Sequence, residues 1–176
     1  MNCGRRHRVH RITVFALIFL FTHAGAGQTV TLTLAGSIPS EASLIEVAGP
    51  FAYLAAGPVL KIFDIHDPSM PKALGTFRFG IEQIYGMVVV GHLIYVAADF
   101  EGLAVLDVSN PIKPVLRGKM KTGRQAIAVA AASGRVLVAD TKNGVEVIDV
   151  SNPENPVKIG DYTWTDTAVM SRSQAV

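Results

Sequence analysis

One cysteine in 176 residues, at position 3, removes most covalent options. Cys3 lies before the apolar stretch 12–21, whereas a bacterial lipoprotein attaches its lipid at a Cys just after one, and a chain cleaved beyond it has no disulfide, thiolate ligand or Cys nucleophile. A cysteine-free mature chain is compatible with an oxidising compartment. Charge is also sparse. At 17% charged and 49% hydrophobic residues, the chain is too apolar for a disordered segment and ordinary for a packed domain. Long hydrophobic runs are missing too: "ITVFALIFLF" (12–21) has ten residues, half of the ~20 a membrane-spanning helix needs. There is no 3.6-residue apolar period, so a helical repeat is excluded. Gly-x-Ser-x-Gly, a Walker-type loop, a GxGxxG ahead of a helix and His-x-x-x-His are all absent.

The first 26 residues read as a secretory signal peptide. Arg5, Arg6, Arg8 and Arg11 form a basic n-region, 12–21 the apolar core, and Ala24-Gly25-Ala26 a small-x-small cleavage site; an uncleaved anchor is the other reading. The leader holds four of the 16 Lys and Arg residues and no acid. Removing it leaves twelve basic against fourteen acidic side chains, a net charge of −2, so no basic surface for nucleic acid remains.

What the sequence does have is a repeat. "FDIHDPSMPKALG" (63–75), "LDVSNPIKPVLRG" (106–118) and "IDVSNPENPVKIG" (148–160) align Asp64, Asp107 and Asp149 at spacings of 43 and 42, and with them two proline columns and the glycines Gly75, Gly118 and Gly160. Periods of this length signal solenoids or propellers. Within a copy, apolar runs alternate with turns: "IYGMVVV" (84–90), Gly91-His92, "LIYVAA" (93–98), the turn 99–102, "LAVLDV" (103–108), a Pro-punctuated loop and "VLRGKM" (115–120). Two prolines three apart belong in a connection, since each lacks a ladder donor. Each copy is thus expected to be a four-stranded antiparallel meander. The third strands are apolar on both faces, Leu103 and Val105 against Leu106 and Val108, then Val145 and Val147 against Ile148 and Val150; this predicts burial between neighbouring sheets. The fold class is all-β, a β-propeller with about three complete blades, a partial ring.

"LAVLDVSNPIKPV" and "VEVIDVSNPENPV" resemble the LVIVD repeat, with "LKIFDIHDPSMPK" a weaker match that has His66 in place of Ser. The resemblance covers roughly 41–162. It implies a propeller of a secreted or surface protein, in a family mostly without assigned activity. The expected organisation is a signal peptide (1–26), an outer strand of a closing blade (27–40), blades at 41–78, 79–120 and 121–162, and the start of an incomplete fourth blade (163–176). Three blades and two loose strands do not readily close a ring, so the expectation is a fragment, or copies that assemble one.

The search for chemistry gives little. His66 and His92 sit in turns, and neither a metal site nor a cofactor is expected. Asp64, Asp107 and Asp149 read as turn acceptors for backbone N–H groups. Asp99 and Asp140 are more distinctive: each opens the turn between second and third strands, where Glu82, Tyr85, Arg124 and Asp166 would gather at a channel mouth. Such a ring of acids, Arg and Tyr suits a peptide, sugar or cation, and the expected partner is a protein, peptide or carbohydrate. The expectation is an exported, non-enzymatic binding scaffold, extracellular, periplasmic or at the cell surface, open to self-association through its blade faces. The alternative is a fragment of a propeller hydrolase or lyase, or of a larger multidomain surface protein.

Overall fold

Alternating apolar runs punctuated by glycine turns fold into twelve strands and no helix among the described residues. The computed structural model describes Ser37, residues 42–142 and residues 144–163. The expected leader, all but Ser37 of the expected outer strand, and Asp166 lie outside the described residues. The first sheet comprises β1 (Leu44–Ala48), β2 (Phe51–Ala56), β3 (Val59–Asp64) and β4 (Lys72–Arg78). The second comprises β5 (Gly86–Val90), β6 (Leu93–Ala97), β7 (Leu103–Asp107) and β8 (Val115–Met120). The third comprises β9 (Ala126–Ala132), β10 (Arg135–Asp140), β11 (Gly144–Asp149) and β12 (Val157–Tyr162). Each strand pairs antiparallel with the next in chain order, so each sheet is a meander.

The sheets stack face to face. Tyr53, Leu60 and Ile62 of the first meet Ile94, Val96 and Leu106 of the second; Tyr95, Leu103 and Val105 on the opposite face of the second meet Val136, Val138 and Ile148 of the third. All five residues of β7 are buried. The first strands of successive sheets adjoin, β1 with β5 and β5 with β9, and a Cβ at Gly86 would lie 3.2 Å from the Ala128 Cα. The result is an open, partial propeller-like stack.

Between third and fourth strands every sheet carries a bulge at the same place, at Ile62/Phe63, Val105/Leu106 and Val147/Ile148. The extra residue is Leu74, Arg117 or Ile159, immediately ahead of the glycine column. That glycine has a packing reason. A Cβ at Gly75 would collide with the Pro111 carbonyl oxygen, and one at Gly118 with that of Pro153, because the Pro loop of each following sheet lies directly over the glycine of the preceding one.

One expectation needs correction. Burial of the third strand on both faces holds for β7 but not for β11, where Val145 and Val147 are only half-buried. Among the described residues no further sheet covers that face, so the apolar pattern of the repeat exceeds the burial it receives.

Candidate functional site

Two clusters of polar side chains lie at opposite ends of the junction between second and third sheets. The first is built on the β6–β7 turn. Asp99 adopts a left-handed backbone (φ 55°), which short polar side chains tolerate, and Gly102 closes the turn at φ 80°. Gly102 also admits the next connection: a Cβ there would lie 2.9 Å from the Lys121 Cα, so the 121–125 segment crosses directly over the turn. That segment delivers Gln125, whose Nε2 donates to Asp99 Oδ1 at 2.9 Å and to the Tyr85 hydroxyl oxygen at 3.2 Å. The Ala126 N–H donates to the Asp99 carbonyl at 3.0 Å, tying the sheets together through the backbone.

Asp140 stands one repeat further on. Its Oδ2 accepts the Arg124 N–H at 2.6 Å and its Oδ1 the Lys142 N–H at 2.8 Å. Beside it, the buried Glu146 carboxylate accepts the Gly123 N–H at 3.1 Å and lies 3.6 Å from the Lys158 ammonium. Both Asp99 and Asp140 are 5% exposed. The structure therefore brings Tyr85 and Asp99 together through Gln125, and joins Arg124 to Asp140 through the main chain. The Arg124 and Glu82 residues are exposed on the connections that precede the third and second sheets, and Phe100, at the tip of the β6–β7 turn, is 61% exposed. Sequence reasoning passed over Gln125 and Phe100. The first follows Arg124 directly, and the second is the one large apolar residue in a turn otherwise made of acids and glycine.

The second cluster uses the Pro loops. Asp64, Asp107 and Asp149 each accept the backbone N–H two residues on, from His66, Ser109 and Ser151, at 2.8 Å, as the turn reading requires. Asn110 and Asn152 repeat the device inside the loop, accepting from Ile112 at 3.2 Å and Glu154 at 3.1 Å. In the second sheet alone, the bulge residue is an arginine. Its Nε and Nη2 donate to Asp107 Oδ2 at 3.0 and 2.7 Å, and its Nη1 lies 3.5 Å from Glu154 of the third sheet. The Ser109 N–H and then the Arg117 guanidinium hold the Asp107 carboxyl down at about 2. With His92 and Asn152 these groups line a cleft of about 350 Å³. The sequence signal was available: Arg117 stands where the other copies have Leu74 and Ile159.

Among the described residues no group of three or more His, Cys, Asp or Glu is arranged to hold a metal ion, and no helix is long and apolar enough to cross a membrane.

The comparisons with known proteins bear on this architecture. The chain is similar in structure to the crystal structure of the computationally designed Ika8 protein, with a TM-score of 0.58 and 12% sequence identity over 72% of this chain. It spans 39% of that protein's length. At this identity the likeness concerns the fold alone. The comparison with curated proteins finds no match. A model of the LVIVD repeat matches at three places, residues 39–78, 86–122 and 123–164, which together make up more than half of the chain. Each match contains one of the four-stranded sheets in whole, and on that ground the chain belongs to the LVIVD-repeat family.

Proposed function

We propose that this protein is an exported, non-enzymatic scaffold that binds a protein, peptide or carbohydrate through the face carrying Tyr85, Asp99, Phe100 and Arg124. The observation that supports this most is the shared amide of Gln125. By donating to both Asp99 and the Tyr85 oxygen, it holds a buried carboxylate and a phenol side by side and leaves the Tyr85 O–H to donate elsewhere. An aligned donor and acceptor beside an exposed aromatic and an arginine suit a partner rich in amides or hydroxyls. Asp99 and Asp140 serve as the frame and Glu82, Phe100 and Arg124 as the contact.

A binding rather than catalytic role fits the state of the acids. Asp140 accepts two main-chain N–H groups, which fixes its position and suits it to organising a loop. Export rests on the basic, apolar and small-residue order of residues 5–26. It predicts that the secreted product begins at Gly27; a product retained inside the cell with its first 26 residues would refute it.

The binding test uses three exposed or half-buried positions that leave the frame intact. The triple variant Glu82→Ala, Tyr85→Phe, Arg124→Ala is expected to stay folded, with a loss of no more than about 1 kcal/mol from the Tyr85–Gln125 hydrogen bond. It should lose capture of oligosaccharides and peptides on arrays to which the parent binds. Unchanged capture by the folded variant overturns this face as the binding surface.

A further inference from the structure

Two junctions of the same construction differ in what lines them. Where the β1–β2 turn, the first bulge and the second Pro loop come together, the positions hold Pro50, Leu74 and Ile112; one junction further on the same positions hold His92, Arg117 and Glu154. Asp64 and Asp107, Asn110 and Asn152 are common to both and are explained by the turns they close. The three polar replacements have no such explanation. They lie in one cleft of about 350 Å³, walled on its apolar side by Leu93 and Pro153. That volume is near the lower end of the range of roughly 300–1,000 Å³ found for ligand pockets, room for a single sugar ring rather than an extended chain.

The frame of the cleft is fixed while its side chains keep bonding capacity. Two donations to Asp107 Oδ2 orient the Arg117 guanidinium and leave its Nη1 facing Glu154 at 3.5 Å, a long contact with a carboxylate whose side chain is 68% exposed. The main chain of Glu154 is held in place, since a Cβ on the underlying Gly118 would lie 3.1 Å from its carbonyl carbon. Asn152 spends its Oδ1 on the Glu154 N–H. Among the described residues neither the Asn152 Nδ2 nor the His92 ring has a hydrogen-bond partner. Donors therefore remain at Arg117 Nη1 and Asn152 Nδ2, an acceptor at Glu154, and a ring at His92 that can serve as either.

Charge and bonding capacity select the ligand class. Two carboxylates, Asp107 and Glu154, stand against one guanidinium, so the cleft repels an anion. A basic side chain would suit Glu154 but would leave the Arg117 and Asn152 donors without an acceptor. A hydroxyl both donates and accepts, and two neighbouring hydroxyls on one ring can take the Arg117 donor and the Glu154 acceptor together, with the C–H face of the ring against Leu93 and Pro153. We propose that this cleft is a second binding site, separate from the Asp99 face, and that it takes a neutral sugar ring through vicinal hydroxyls bridging Arg117 and Glu154. The inference does not rest on the reading of the Asp99 face, since it uses other residues at the opposite end of the junction.

The test titrates the isotope-labelled full chain with glucose, galactose and mannose at millimolar concentrations and follows its amide resonances. Saturable shifts centred on His92, Leu93, Asn152 and Glu154 are expected with at least one of the three sugars, and they should persist in the triple variant Glu82→Ala, Tyr85→Phe, Arg124→Ala. The double variant Arg117→Leu, Glu154→Ile gives the second junction the residues of the first. It is expected to keep the circular dichroism of the parent and to bind about tenfold more weakly, the effect of losing a hydrogen bond to a charged group. Should the double variant unfold, Glu154→Ile alone makes the same measurement, because it leaves the Arg117–Asp107 pair in place. Absence of saturable shifts at these residues with all three sugars overturns the proposal, as does undiminished binding by the folded variant. Shifts there with glucuronate or lysine amide alone assign the cleft to an anion or a basic side chain and overturn it as well.

Discussion

Asp107 shows how one side chain can serve the turn, the sheet and the junction together. Its Oδ1 closes the turn onto Ser109 and its Oδ2 takes two donors from Arg117. A carboxyl held at about 2 against an ordinary 3.8 stabilises the fold above its ordinary value, and that contribution is lost as the pH falls from about 4 towards 2. Arg117→Leu, the residue that the first sheet has at this position, should raise the Asp107 pKa part of the way back. The Ser109 N–H, the larger cause, remains. Because the guanidinium is 42% exposed, solvent screens the pair, and urea midpoints measured between pH 2 and 7 are expected to show a loss at pH 7 that shrinks as the pH falls below about 4. An unchanged acid limb would show that Arg117 does not act on Asp107. Asp67 and Asp149 are lowered in the same direction by the hydroxyl and N–H of Ser69 and Ser151, so the parent and the variant must be compared rather than either read alone.

The glycine column makes a second prediction at the residue scale. Gly118→Ala places a methyl group against the Pro153 carbonyl and 3.0 Å from the Pro156 ring, and a loop pinned by two turns of its own cannot easily retreat. A loss of about 2–3 kcal/mol is expected, as for other overpacking changes. Gly160→Ala, where a Cβ would meet no atom within 4 Å, should cost less than about 0.5 kcal/mol. Chemical denaturation of the two variants measures the difference, and equal losses would contradict the loop-over-glycine packing.

Among the elements, the third strand of each sheet is where pattern and burial part company. Val105 and Val147 occupy the same place in their repeats, yet Val105 is 0% exposed between two sheets and Val147 is half-buried on an open face. Val105→Asp puts an unpaired charge in a sealed core and should abolish cooperative folding; Val147→Asp should cost less than half as much and leave a folded chain. Near-equal destabilisation would mean that the outer face of the third sheet is covered in solution.

The β6–β7 turn is the element on which the proposed binding face rests. Asp99→Gly keeps a residue that accepts φ 55° but removes the acceptor for Gln125, whereas Asp99→Val removes both. The glycine variant is expected to fold with a modest loss of about 1 kcal/mol and a weakened Tyr85–Gln125 arrangement, and the valine variant to lose more. Thermal melts of the two separate the backbone role from the side-chain role.

For the whole molecule, the order of the stack sets local stability. The second sheet is covered on both sides by neighbours, so amides of β6 and β7 should exchange most slowly with solvent. Those of β12, exposed along most of its length, should exchange fastest among the strands of the third sheet. Hydrogen exchange that found β11 as protected as β7 would point to a covered third sheet.

Much of this was legible in the chain. The repeat of 42 to 43 residues, the turn acceptors at Asp64, Asp107 and Asp149 and the twelve strands follow from the order of apolar runs, glycine turns and paired prolines, because those signals are local and act within a few residues. The bulge was not legible, since it appears only when the fourth strand is laid against the third and one residue is left over. Nor was the role of Asp99 and Asp140: a carboxylate at a turn reads the same whether it faces a channel or the backbone of the next repeat. Whether both faces of a sheet are buried depends on how many sheets stack beside it, a long-range property that no window of sequence contains. The sequence thus determined the unit, a four-stranded sheet apolar on both faces that requires neighbours, because hydrophobic period and turn chemistry are written residue by residue. The tertiary structure alone decided which faces are satisfied, which acids are framework and which glycine stands open, because each depends on what another repeat brings within a few ångströms.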